Sequence, residues 1–271
     1  MNKKFFLSTF IKDLRIALSY RLQFIFSIFS IFISIAFISI FSVLVDSSDN
    51  QYLKPYGGSY FTFLFFGFLA AETTVLLLNT MPNKVREYQL TGIFEELIMS
   101  GKREIDIIIA SLLYPLAFLI FRIGCYFFAF FLISNNSEIL SQISAISLFS
   151  FLLFSISLIG ISLISTGVTI VFKSPAIINR SYLTLSSIFS GVAFPVEILP
   201  KQFVFIGELF PTTHFLRIFR HDAIEYSGLS IDLIYNFSAL SILAMTFLLS
   251  GIYLLIKCIN ISKKNGNLLN Y

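Results

Sequence analysis

The chain has 271 residues, 56% of them hydrophobic and only 13% charged, with 34 Phe and no Trp. Soluble domains carry roughly 45–50% apolar and about 25% charged residues, so this composition, with a mean hydropathy of +0.86, excludes a water-soluble globular enzyme and a disordered chain. The net charge of +4, from 19 Lys and Arg against 15 Asp and Glu, is dispersed through apolar sequence; that excludes a nucleic-acid-binding face and leaves the basic residues to be read for orientation in a bilayer.

Residues 3–20 mix Lys3, Lys4, Lys12, Asp13 and Arg15 with Phe5, Phe6, Leu7, Phe10, Ile11, Leu14 and Leu18 at helical spacing. This predicts an amphipathic helix on the inner membrane face, either a plain basic anchor or an element with a further duty. A membrane-crossing helix needs about 20 apolar residues, and six such spans are predicted: 22–45, 57–80, 107–134, 139–172, 176–194 and 233–256. The first is too long for the core of a cleaved signal peptide and is expected to be retained. The fourth, at ~1.5 Å per residue, would reach ~50 Å and must tilt, bend or project beyond the bilayer. Residues 195–232 hold Pro195, Pro200, Pro211, both histidines and apolar runs too short to span, such as Phe203–Ile206. That pattern predicts two broken half-helices that dip into the membrane and return.

Lys and Arg are retained on the cytoplasmic side. With the N terminus inside, only Lys54, Lys201, Arg217 and Arg220 fall outside and Arg122 falls within a span, which predicts that both termini are cytoplasmic. The two cysteines, Cys125 and Cys258, lie in apolar stretches and are too few for a disulfide framework.

The longest inner connection, 81–106, reads as a helix pair interrupted near Thr91–Gly92. In its second piece Ile93, Phe94, Leu97 and Ile98 gather on one face while Glu95 and Glu96 point elsewhere. Such a ridge suits docking in a groove of a cytoplasmic partner, or packing beneath the protein's own inner surface. Gly101-Lys102 is not a phosphate-binding loop, because Glu96 stands where that loop requires glycine.

Two ionisable residues fall at membrane depth, Glu72 in the second span and Arg122 in the third, each costing roughly 2.5–3.5 kcal/mol at the centre of a helix. Pairing with each other, lining a translocation path and snorkelling to an interface all stay open. His214, Arg217 and His221 share a helical face, but a guanidinium between two imidazoles repels a cation, so an outer gate or polar surface is expected there rather than a metal site. The many serines are spread through apolar helices, where they make helix contacts, and no catalytic Ser/His/Asp arrangement stands out.

Three stretches carry a family resemblance. Gly92-Ile93-Phe94-Glu95-Glu96-Leu97 is similar to a Gly-Thr-Leu-Glu pattern before span three; Ser174-Pro175 precedes span five; and the outer run from Ser190 through Gly191, Phe194, Pro195 and Leu199 to Pro200 is followed by Pro211-Thr212-Thr213 and, seven residues later, Arg220. Together, over nearly the whole chain, they resemble the membrane subunit of type-2 ATP-binding cassette (ABC) exporters. The resemblance implies an all-α, six-helix permease of the inner (plasma) membrane with an external re-entrant hairpin between helices five and six. It further implies dimerisation with a second copy or a related permease, and pairing with two copies of a separate ATPase subunit that binds ATP and Mg; this chain itself would hold no cofactor, metal or catalytic residue. Gly92, Glu95 and Leu97 would belong to the ATPase-coupling element, with Phe94 as its lever. Gly191, Phe194, Pro195, Leu199, Pro200, Pro211 and Arg220 would belong to the hairpin. Ser100-Gly101 departs from the family's usual Ser/Thr-Pro.

The expected function is therefore export of a lipid, drug-like amphiphile or lipid-linked glycan at a dimer interface. The alternative is an ion- or proton-coupled transporter or channel using Glu72 and Arg122 without an ATPase. A third class, an intramembrane enzyme, lacks a recognisable catalytic group.

Overall fold

A computed structural model of the chain describes residues 3–45, 60–133, 144–172, 176–224 and 231–264. Eleven α-helices and one short 3-10 turn make up these residues, with no strand among them: α1 (Lys3–Ser19), α2 (Arg21–Val45), α3 (Tyr60–Leu90), α4 (Ile93–Met99), α5 (Glu104–Ala110), α6 (Leu113–Ile133), α7 (Ala145–Phe172), α8 (Ala176–Phe189), α9 (Lys201–Gly207), α10 (Pro211–Ile224) and α11 (Ile231–Lys264). Five stretches are long and apolar enough to cross a membrane: Arg21–Val43, Tyr60–Leu90, Glu104–Leu132, Ala145–Phe172 and Ile231–Lys264. The protein is an all-helical, multi-pass membrane protein. Helices suit that setting because each closes its own backbone hydrogen bonds where no water can. Their hydroxyls do the same: Thr73, Thr74 and Thr80 of α3 donate to carbonyl oxygens one turn back, on Leu69, Ala70 and Leu76.

Several boundaries differ from the hydropathy reading, for local reasons. Span two does not stop at Thr80; α3 carries the buried Pro82 and continues to Leu90. Span three begins as α5, bends at Ser111–Leu112, and resumes as α6. Pro115 has no N–H to bond the carbonyl of Ser111, and the loss of that hydrogen bond falls at the bend. The described part of span four starts at Ala145, since 139–143 lie outside the described residues. In span five, α8 has 14 residues, ~21 Å of helix against roughly 30 Å of hydrocarbon. It ends at Phe189 because Gly191 adopts φ 74°, a left-handed conformation that glycine tolerates, and Pro195 follows before a helix can restart.

The helices share one near end, which carries the N-terminal part of α1 and the C-terminal part of α11, and one far end. At the near end Lys263 pairs with Glu104 at 2.7 Å, and Lys84 pairs with Asp13 at 3.5 Å. At the far end Phe41 of α2 meets Tyr60 of α3. The tightest helix crossing is α7 on α11. A Cβ on Gly160 would stand 2.5 Å from the carbonyl carbon of Phe247, and one on Gly251 would stand 2.4 Å from the carbonyl oxygen of Gly160. Missing side chains thus let the two backbones touch, the means by which helices associate where lipid is as apolar as their own side chains. The outer helices face away from this core. Along α2, Leu22, Ile25, Phe26, Phe29, Ile33, Phe37 and Ile40 are all exposed, a stripe that hydrocarbon or a second membrane chain can cover.

Candidate functional site

The far half of the bundle is built around α10, whose composition is polar yet whose position is central. Pro211 opens it, its absent N–H being no loss in a first helical turn. From Thr212 to Arg220 every side chain except the half-buried Arg217 is buried. Phe215 stacks on Phe154 of α7 with centroids 4.5 Å apart and rings 3° from parallel, and Phe219 meets Phe66 of α3 edge-on. These aromatic contacts wedge α10 between α3, α7 and α11.

Its polar residues each find a partner. The Thr213 hydroxyl donates to the Gly207 carbonyl at 2.6 Å, closing the turn from α9 into α10. The Thr212 and Ser186 hydroxyls are 3.2 Å apart, tying α10 to α8. His214, 1% exposed, has Nδ1 at 2.9 Å from Asn236 Oδ1 of α11 and Nε2 at 2.9 Å from the Glu208 carbonyl oxygen. The Asn236 amide is oriented by its own donation to the Asp232 carbonyl at 2.7 Å. Arg217 forms an ion pair with the Glu208 carboxylate. His214 and Arg217 therefore spend their polar atoms on partners within the fold, His221 is half-buried, and among the described residues no group of three His, Cys, Asp or Glu is placed to hold a metal ion.

Arg220, 3% exposed, ties α10 to α3 and to the turn after α8. Its Nη1 donates to the Gly191 carbonyl at 2.8 Å and its Nη2 to the Phe63 carbonyl at 2.9 Å, while the guanidinium lies 3.5 Å from the centroid of the Phe63 ring. Gly67, one turn below Phe63, makes room: a Cβ there would stand 2.0 Å from the Val192 carbonyl oxygen and 3.1 Å from Nη2 of Arg220. The Tyr60 hydroxyl donates to the Ala193 carbonyl at 2.7 Å, one residue further along the same turn. Residues 190–195 are thus held against α3 by a buried cation and a phenol. Of the other outer residues singled out from sequence, Pro195 and Pro211 are buried, Phe194 and Leu199 half-buried, and Pro200 exposed. Pro195 precedes the 3-10 turn Val196–Ile198 and Pro200 precedes α9.

Asp222, two residues beyond Arg220, was not singled out from sequence. Its carboxylate accepts from the Ser144 N–H at 3.1 Å and from the hydroxyls of Ser144 and Ser147. A carboxylate at a helix start satisfies an orphan N–H and opposes the positive end of the helix dipole, so Asp222 caps α7 from a neighbouring helix. The serine pair three apart at the head of an apolar run was the legible signal for that cap; its partner, 75 positions or more away, was not. Glu208, Asn236 and Tyr60 carried no pattern at all.

Glu72 and Arg122 meet. Arg122 Nη2 donates to Glu72 Oε2 at 2.8 Å, joining α3 to α6 near the middle of both. The cavity beside them, lined in part by Leu69, Thr73, Leu119 and Tyr126, measures about 10 Å³, no more than one water needs.

At the near end the apolar ridge of the short helix α4 takes the second of its two expected placements, beneath the protein's own inner surface. Phe94 is 1% exposed and packs among Met81, Val85, Tyr88, Ile107, Ile108, Ile170, Leu255 and Ile259, with Ile93, Leu97 and Ile98 partly buried around it. The apolar ridge is turned inward, onto the protein's own core, because four bundle helices converge there with apolar side chains to cover. Leu90, Glu96 and Met99 remain exposed. Gly92 begins the element at φ 73°; the side chain of Glu95 lies outside the described set.

Comparison of the chain with protein-family models and with curated proteins gives no match.

Proposed function

We propose that this chain is the membrane subunit of an ATP-driven exporter, a type-2 ABC permease that acts as a dimer and draws on two copies of a separate ATPase subunit. The observation that carries the reading is Arg220 closing on the Gly191 carbonyl. The resemblance assigns both residues to one outer element although 29 positions separate them, and here they share one buried tie. In this reading α8 serves as the fifth of six spans, residues 190–224 form the re-entrant hairpin, and the basic near end faces the cytoplasm. A lipid, drug-like amphiphile or lipid-linked glycan would pass at the dimer interface.

An ATPase can move membrane helices only through contacts that differ between its nucleotide states. α4 suits that task as a strut rather than a free lever: Phe94 roots it in the core shared by α3, α5, α7 and α11, so a push on exposed Glu96 or Met99 reaches those helices together. The test is isolation of the chain from native membranes in a gentle detergent. An ATPase subunit is expected to accompany it and to be lost from a Glu96→Ala, Met99→Ala double variant that melts normally. Phe94→Ala should instead lower thermal stability, by about 3–5 kcal/mol as for other buried Phe truncations. If no ATPase accompanies the unaltered chain, the reading fails. The ion-coupled alternative gains no support from a Glu72–Arg122 pair whose charges neutralise each other; transport driven by a proton gradient and indifferent to ATP would restore it.

A further inference from the structure

A cavity of about 490 Å³ lies at the near end, where α1 turns at Tyr20 into α2. Its volume falls within the range of small-ligand sites, roughly 300–1,000 Å³. One wall is charged and polar, with Asp13, Lys84, Glu87 and Asn83; the other is apolar and aromatic, with Phe24 and Phe118. Asp13 is 7% exposed. Its Oδ1 is buried and accepts no hydrogen bond, for the ammonium groups of Lys84 and Lys12 stand off at 3.5 and 3.6 Å. Those lysines have closer partners: Lys84 holds Glu87 at 3.0 Å and Lys12 donates to the Tyr88 hydroxyl at 2.9 Å. Asp13 is thus held by charge at ion-pair distance and by no hydrogen bond, so its carboxylate keeps the capacity to accept one.

We infer that this cavity is a resident site for a zwitterionic aminophospholipid of the surrounding membrane. The lipid's primary ammonium donates to the Asp13 carboxylate through its oxygen other than the buried Oδ1, its phosphate lies against Lys84, and its acyl chains leave past Phe24 and Phe118 toward the exposed apolar stripe of α2. The charge balance selects this head. Lys12 and Lys84 offset Asp13 and Glu87, so only a head that is neutral overall leaves the site neutral. Position supports it too, since the polar wall comes from the charged end of the bundle and the aromatic wall from membrane-spanning α2 and α6. The site sits inside one chain, and neither it nor its test depends on an ATPase or on transport.

The experiment is native mass spectrometry of the full chain, purified in mild detergent and exchanged with vesicles holding equal amounts of phosphatidylethanolamine, phosphatidylcholine and phosphatidylglycerol. Retention of phosphatidylethanolamine should exceed that of phosphatidylcholine by about tenfold, because trimethylation removes every N–H the carboxylate accepts from, and phosphatidylglycerol should remain at background. Asp13→Asn should bring phosphatidylethanolamine down to the phosphatidylcholine level, and Ala17→Phe, which fills the cavity, should abolish selective retention. Equal retention of the three lipids, a preference for phosphatidylglycerol, or selectivity that survives both variants overturns the inference. Should Asp13→Asn fail to fold, the headgroup comparison on the unaltered chain and on Ala17→Phe decides.

Discussion

Arg220 both donates to the backbone carbonyl of Phe63, at 2.9 Å, and rests on that residue's ring, 3.5 Å from its centroid. One side chain thereby grips another residue twice, and its remaining arm holds the Gly191 carbonyl. The planar, forked guanidinium can do this and an ammonium cannot. Arg220→Lys should therefore retain the charge and lose the clamp, lowering stability by about 1.5–3 kcal/mol, the range of hydrogen bonds to charged groups. Arg220→Ala should cost at least as much. Thermal unfolding in detergent, followed by loss of the monodisperse gel-filtration peak, reads both; a lysine variant as stable as the parent would show that charge alone matters here.

The Gly160–Gly251 crossing makes a second prediction. Gly160→Ala and Gly251→Ala each place a methyl group against backbone that cannot swing aside, so each should destabilise by about 1–3 kcal/mol, as overpacked cores do. Because either substitution parts the same two helices, the double variant should cost less than the sum of the singles. Additive melting shifts would mean the two glycines act independently.

The Glu72–Arg122 pair separates a structural tie from a conduction path. Removing one partner leaves a lone charge inside the bundle, while removing both leaves none. Glu72→Gln and Arg122→Gln should each destabilise more than the Glu72→Gln, Arg122→Gln double variant, and the double variant should keep whatever transport the protein performs. A stable double variant with no transport would point to a role in the path itself.

Asp222 caps α7 from outside that helix. Asp222→Ala should cost about 1–2 kcal/mol, as the loss of other caps does, and Asp222→Asn should recover part of it by still accepting from Ser144. Amide hydrogen exchange localises the effect: faster exchange confined to the first turn of α7 is expected, and uniform acceleration across the bundle would assign Asp222 a wider role.

Hydropathy located most of this molecule because a bilayer imposes one demand on every span, about 20 apolar residues in a helix. The cores of α2, α3, α6, α7 and α11 answer that demand and were legible as long apolar runs, α3 and α6 despite the single charges of Glu72 and Arg122. Boundaries were less so. Pro115 bends span three and Gly191 ends α8, yet a hydropathy window averages over single residues whose effect is on backbone geometry. The pairing of Glu72 with Arg122 was one of three open readings, because sequence carries neither depth nor facing.

Amino-acid order by itself determined that this is a helical membrane protein with a basic end, since burial in lipid depends on composition over a window. Only the tertiary structure decided where the polar side chains spend their hydrogen bonds. His214 found Asn236, Asp222 found Ser144, and Phe94 turned into the core instead of toward a partner. Each outcome depends on which helix stands beside which, and that neighbour is chosen by side-chain volume and missing Cβ atoms, as at Gly67, Gly160 and Gly251, which no periodicity in the chain records.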